Sequence, residues 1–158
     1  MPWTSKHLSW LAEHATTQKT FDGRTVRLFV FSHRDDATVL SLWAKHFRNH
    51  YCLDTEIEEL RGGTGKSRKE YLEEIKFPDR SSAPGPSVRA GDFGEILIAD
   101  FLENHLKCWV PRTRFRNKMV RNESEKGCDV IGFRIAGKDL SADDELIVFE
   151  TKAKFTGR

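Results

Sequence analysis

Apolar residues recur along the first half of the chain at helical spacing, interrupted by one strand-like run. The spacing predicts helices near residues 5–15, 37–50 and 67–76, a strand at Arg24–Phe31, and an unassigned element at 53–60. A strand followed by helices is typical of α+β or α/β packing. We therefore expect a mixed N-terminal module.

The segment 91–106 predicts an amphipathic helix of about four turns. Its apolar stripe contains Ile98, Ala99 and Leu102, which follow Glu95 by three, four and seven positions. The solvated face of this helix is predicted on another side, where three polar residues lie: Asp100, Glu103 and Asn104. An acid on an apolar stripe indicates a partly buried functional carboxylate, and an acid favoured by the helix dipole is the alternative.

Two strand-like apolar runs follow this helix. The first begins just after Asp129, and the second is the run from Glu145 to Lys152. Because residues i and i+2 of a strand point to the same face, Glu150 and Lys152 are predicted to project together beside the region that Asp129 faces. Charges at the ends of apolar strands are costly to desolvate unless they are paired or bind a metal. A solvated Glu150–Lys152 ion pair is the simpler alternative.

The segment between the helix and Asp129 is basic. From Lys107 to Lys126 it has seven Lys or Arg residues against two acids, although the whole chain carries a net charge of +2. Four basic residues alternate with other residues: Arg112, Arg114, Arg116 and Lys118. An extended conformation would place all four on one face, as a ridge for contacts with nucleic-acid phosphates. An exposed edge strand kept unpaired by its cations is the alternative.

The order of Glu95 on a helix, Asp129, and then Glu150-Thr151-Lys152 on a strand resembles the core of the PD-(D/E)xK nuclease superfamily. More narrowly, the run from Gly91 to Phe155 is similar to the HamA nuclease family of Hachiman antiphage defence systems. The resemblance implies a restriction-endonuclease-like αβββ core that hydrolyses DNA with Mg²⁺ or Mn²⁺. It also implies a helicase as the partner protein.

The residue chemistry is compatible with this resemblance. Mg²⁺ prefers one or two carboxylates and completes its shell with water and phosphate oxygens, so Asp129 and Glu150 are suitable ligands. The backbone carbonyl of Thr151 is a further candidate ligand. Lys152 could orient the attacking water and stabilise charge on the phosphate. Glu95 could add a ligand or hold a metal-bound water.

Composition indicates a globular protein that is not embedded in a membrane. Of the 158 residues, 38% are hydrophobic and 32% are charged, and no apolar run is long enough to span a bilayer. The three cysteines form no paired framework and the N-terminus has no signal-like apolar stretch. We therefore expect a cytoplasmic protein.

Composition breaks predict an N-terminal α/β module at 1–77, a linker rich in Pro, Gly and Ser at 78–90, and the nuclease-like core at 91–158. Superfamily members add a helix and a strand after the Glu-x-Lys strand, whereas this sequence ends six residues after Lys152. The core is therefore expected to be C-terminally truncated. Two other classes of function remain open: a nucleic-acid-binding module with a vestigial site, and a subunit that docks a partner.

Overall fold

The computed structural model describes residues 4–153 as a mixed α/β protein with two compact units. One unit ends at His46 and the other begins at Phe47. Residues 1–3 and 154–158 lie outside the described range, and the last five belong to the core predicted at 91–158. No helix in the described range is long and apolar enough to cross a membrane. The division into 1–77, 78–90 and 91–158 stays a prediction.

The first unit begins with a short 3-10 helix and continues as two antiparallel strand pairs. The 3-10 helix is Lys6–Trp10, and the strands are β1 (Leu11–Glu13), β2 (Gln18–Lys19), β3 (Thr25–Val26) and β4 (Phe29–Phe31). Strand β1 pairs with β4, and β2 pairs with β3. The predicted helix at 5–15 is therefore wrong beyond Trp10, because Leu11 is extended and pairs with Phe31. The predicted strand is divided between β3 and β4.

Helix α1 (Ala37–Tyr51) confirms the helix predicted at 37–50. The Oδ1 atom of Asp36 accepts a hydrogen bond from the Val39 amide at 3.0 Å, which satisfies one of the amides left unpaired at a helix start. The apolar residue Trp43 is buried. Its ring lies 6.1 Å from that of Trp10 and 5.4 Å from that of Phe31, so aromatic packing holds α1 to the 3-10 helix and to β4.

The second unit contains the last residues of α1 and three further helices. These are α2 (Ile57–Arg61), α3 (Arg68–Tyr71), which continues as a π-helical turn (Leu72–Lys76), and α4 (Gly85–Asn104). A capping box between Ser67 and Glu70 starts α3, where the sequence predicts a helix at 67–76. Helix α4 begins at Gly85, before the predicted start at Gly91. The first turn contains Pro86, which fits there because the amide that proline lacks would have no helical partner.

A hairpin packs on α4. Strand β5 (Val130–Arg134) pairs antiparallel with β6 (Glu145–Phe149), and Trp109 forms a single bridge to Phe133 beside them. Val130 packs with Ala99 and Leu102 of α4 in one core cluster. A Cβ on Gly132 would lie 3.1 Å from the Cβ of Cys108, so β5 packs closely against Cys108. The second predicted strand corresponds to β6, which ends at Phe149 and not at Lys152.

Candidate functional site

Helix α4 carries Glu95 into the protein as its apolar stripe predicts. Glu95 is only 8% exposed, and the adjacent Ile96 is fully buried. The predicted solvated face is wrong, because Asp100 is fully buried and Glu103 is half-buried. Both acids pair with Arg112, whose Nη2 lies 2.7 Å from Asp100 Oδ1 and 2.7 Å from Glu103 Oε2. The Arg112 cation compensates the negative charges of Asp100 and Glu103, which the helical periodicity of α4 alone assigns to the solvated face.

The Arg114 guanidinium lies between two of the predicted site carboxylates. Its Nε is 2.8 Å from Glu95 Oε2, and its Nη2 is 3.9 Å from Asp129 Oδ1. The same guanidinium donates hydrogen bonds to two carbonyl oxygens, those of Cys128 at 2.7 Å and Glu125 at 2.6 Å. One fixed cation therefore links the helix to the segment that leads into β5.

Asp129 also contacts the chain beyond β6. Its Oδ2 accepts hydrogen bonds from the Thr151 amide at 2.7 Å and the Thr151 hydroxyl at 3.2 Å. Two residues later, the Cβ of Ala153 lies 3.0 Å from the position that a Cβ on Gly94 would occupy. The segment 151–153 thus runs from Asp129 to α4, one residue from Glu95.

Glu150 and Lys152 have a different environment. Both are exposed, and within residues 4–153 neither side chain forms a hydrogen bond or an ion pair. Thr151 and Ala153 contact the protein, while the residues between and before them face solvent. The structure brings together Glu95, Asp129 and Thr151, and it places Glu150 and Lys152 on the same segment without contacts to those acids. Their catalytic and metal-binding roles stay predictions.

A pocket of about 150 Å³ opens beside this cluster. Glu95 and Asp129 contribute its acidic part, and Arg112 and Arg114 its basic part. The remaining wall is mainly apolar and includes Ile96, Ala99, Val110, Phe115, Val130 and Ile131. The site therefore combines two acids with a mainly apolar wall.

Burial of the Glu95 carboxyl raises its pKa to about 7. Arg114 acts in the opposite direction and lowers this pKa, while Asp129 and Asp92 raise it through like-charge repulsion. The nearby cation therefore does not fully offset the cost of placing this carboxylate in the protein. A perturbed acid in a pocket is a feature of functional sites as a class.

The extended basic ridge is not formed. Residues 114–117 form a turn, in which the Asn117 amide bonds to the Thr113 carbonyl at 3.2 Å. Each of the four basic side chains has an acidic partner within the second unit: Arg112 with Asp100 and Glu103, Arg114 with Glu95, Arg116 with Glu56, and Lys118 with Asp92. Alternation predicts one face only when the backbone is extended, and the turn removes that condition. Nucleic-acid binding by these residues stays a prediction.

Sequence reasoning missed a buried polar network on α4. Asp92 Oδ2 accepts hydrogen bonds from the Tyr51 hydroxyl at 2.6 Å and from Lys118 Nζ at 2.8 Å. Burial and the charge of Asp92 raise the pKa of Tyr51 well above its usual range. Asp92 precedes Glu95 by three residues, so its position on the same helical face was the available signal.

The fold and site define a small mixed α/β protein with a half-buried acidic cluster between a helix and a β-hairpin. A family model for HamA matches residues 5–157. The chain therefore belongs to the HamA family, which is related to antiphage defence. Searches of curated proteins and of solved structures found no match.

Proposed function

We propose that the protein is a metal-dependent nuclease that hydrolyses phosphodiester bonds of DNA in antiphage defence. The observation that carries the proposal is the meeting of Glu95 and Asp129 around one cation, with Thr151 bonded to Asp129. Thr151 belongs to the Glu150-Thr151-Lys152 segment, and the elements occur in the order of a PD-(D/E)xK core. Membership of the HamA family supports the same function.

The donor set is compatible with a hard divalent cation. Glu95 Oε2 and Asp129 Oδ1 both lie within 4 Å of nitrogens of the Arg114 guanidinium, so both acids reach one small region. Asp129 Oδ2 is bonded to Thr151, which leaves Oδ1 for a cation. Carboxylate oxygens are the ligands that Mg²⁺ and Mn²⁺ prefer. We propose Asp129, Glu150 and the Thr151 carbonyl as ligands, with Glu95 close by.

The residues divide the proposed reaction among them. When bound, a divalent cation would neutralise phosphate charge and acidify a bound water. Glu95 Oε2 would accept a hydrogen bond from the attacking water, and the exposed amine of Lys152 would orient that water and hold a phosphate oxygen. The apolar wall of the pocket would limit access of other water molecules. The hydrogen bonds from Thr151 would keep Asp129 in place during turnover.

Cleavage of supercoiled and linear DNA with Mg²⁺, Mn²⁺ or EDTA tests the proposal. We expect metal-dependent cleavage that Glu150→Ala reduces by at least about a hundredfold, since a ligand matters at least as much as its supporting residues. Glu145→Ala is the matched control, because Glu145 is another exposed acid at the opposite end of β6. Absence of cleavage by the wild type with either metal, or equal cleavage by Glu150→Ala, would contradict the proposal.

A second candidate function is docking of a partner protein, for which the family resemblance suggests a helicase. The outer side of the hairpin favours it, because Trp109 is 61% exposed, Leu146 62% and Val148 49%. Apolar patches of this kind often mark interaction sites. The native mass of the complex purified from its source would test docking. A heterocomplex without metal-dependent cleavage would favour a docking subunit over a nuclease.

A further inference from the structure

Arg114 occupies the region where the proposed metal ion would bind. Its Nε lies 2.8 Å from Glu95 Oε2, and its Nη2 lies 3.9 Å from Asp129 Oδ1. These are the two acids that converge from α4 and from the start of β5. The side chain is 20% exposed, so its charge is only partly screened by solvent.

The surrounding contacts hold this cation in place. The Cys128 and Glu125 carbonyls accept hydrogen bonds from the two terminal nitrogens of Arg114. The turn that carries Arg114 is also fixed, because the neighbouring Phe115 is buried against Tyr51 and Ile96. Arg114 is therefore a built-in counter-ion and not a mobile surface cation.

We propose that the Arg114 guanidinium, which lies beside Asp129 and the neighbouring Glu95, competes with the divalent cation for this acidic region and thereby sets the metal affinity of the site. This inference rests on the proposed function. Two positive groups cannot share the same carboxylate oxygens without strong repulsion in a half-buried pocket. Metal binding thus requires Arg114 to release these acids. The released guanidinium, a planar group suited to phosphate oxygens, is then available to the substrate.

Metal binding without nucleic acid provides the first test. Calorimetric titration with Mn²⁺ should give a dissociation constant at least about tenfold lower for Arg114→Gln than for the wild type, because a competing charge is removed. Arg121→Gln is the matched control. Arg121 is 27% exposed, lies 3.0 Å from Asp79 and donates to the Glu73 carbonyl, but it is not part of this site. Its loss should leave the dissociation constant unchanged.

A second measurement uses the wild type and does not depend on the folding of Arg114→Gln. The Nε–H resonance of Arg114, assigned with Arg114→Lys, should shift on addition of Mg²⁺ and return on addition of EDTA. An unchanged resonance at saturating Mg²⁺ would overturn the inference, as would unchanged or weaker Mn²⁺ binding by folded Arg114→Gln.

The two proposals fail in different ways. Metal-dependent cleavage by the wild type, together with unaltered Mn²⁺ affinity in Arg114→Gln, would overturn the role of Arg114 and leave the nuclease intact. A wild type that binds neither metal and cleaves no DNA would overturn both.

Discussion

Two carboxylates one helical turn apart on α4 have opposite environments. Asp92 is 3% exposed, and its Oδ2 receives hydrogen bonds from both Tyr51 and Lys118. Glu95 is 8% exposed, is paired with Arg114, and has Asp129 as a second negative charge nearby. Asp92 is thus compensated within a closed network, whereas Glu95 faces a pocket with its charge incompletely compensated.

This difference indicates that Asp92 stabilises the fold, whereas Glu95 is suited to catalysis or to binding a cation. A buried carboxylate with a cation and a hydroxyl donor satisfies its own desolvation cost and has no need of a ligand. A carboxylate whose pKa is raised by burial is ready to bind a cation or a proton. Burial alone does not distinguish the two. The two acids are distinguished by the number of hydrogen-bond donors to each carboxylate and by its access to a pocket.

The largest effect on stability is expected from Lys118→Met. The Lys118 and Asp92 side chains are 2% and 4% exposed, so the substitution leaves a buried carboxylate without its cation. We expect the free energy of unfolding to fall by about 3–5 kcal/mol. Urea denaturation followed by circular dichroism would measure it.

The comparison is Glu95→Gln, which removes the charge of the second buried acid instead of the cation beside the first. Because the Glu95 charge is poorly compensated, its loss should change the free energy of unfolding by less than about 1 kcal/mol. Equal destabilisation by the two substitutions would contradict the distinction between a structural and a functional acid.

The next effect concerns the position of the Glu150–Lys152 segment. Gly94→Val would push against Ala153, whose Cβ lies 3.0 Å from the position of a Cβ on Gly94. Displacement of the segment by about 1 Å should reduce metal-dependent DNA cleavage by about a hundredfold. Steady-state cleavage rates at saturating Mg²⁺ would measure it.

Gly91→Val is the control for this substitution. Gly91 lies on the same helix, and a Cβ there would meet nothing within 4 Å. Both substitutions carry the same cost in helix propensity, so that cost cancels in the comparison. Similar losses of cleavage in the two variants would show that contact with Ala153 is not the cause.

Local patterns were sufficient for much of the fold. The apolar period predicted α1 at 37–50 and the burial of Glu95, because both depend on residues within a few helical turns. Helix α4 nevertheless begins at Gly85. The sequence pattern did not predict this start, because the first turns contain Pro, Gly and Ser and lack an apolar stripe. Periodicity cannot detect a helical turn that is stabilised by its tertiary surroundings.

The arrangement of the site depended on contacts between distant residues. The alternation of basic residues predicted an extended ridge, but their acidic partners lie far away in sequence, as Lys118 and Asp92 illustrate. Asp129 and Thr151 are 22 residues apart and meet because β5 and β6 pair in register. Neither contact can be predicted from a short stretch of sequence, because both depend on how the chain folds back on α4.

The smallest effect is expected at Asp79, a third kind of acid in the same unit. Hydrogen bonds from the backbone amides of Ser82 and Ser81 lower the pKa of Asp79 to about 2. A carboxyl with a lowered folded-state pKa stabilises the protein above its unfolded-state pKa near 3.8, and loses this contribution as pH falls towards 2. The melting temperature of Asp79→Asn should therefore be slightly below that of the wild type at pH 7, with a difference that narrows on acidification. Asp139→Asn, an exposed acid outside this loop, is the control and should show no such narrowing. A difference that grows as the pH falls would mean that the folded protein does not stabilise the Asp79 carboxylate.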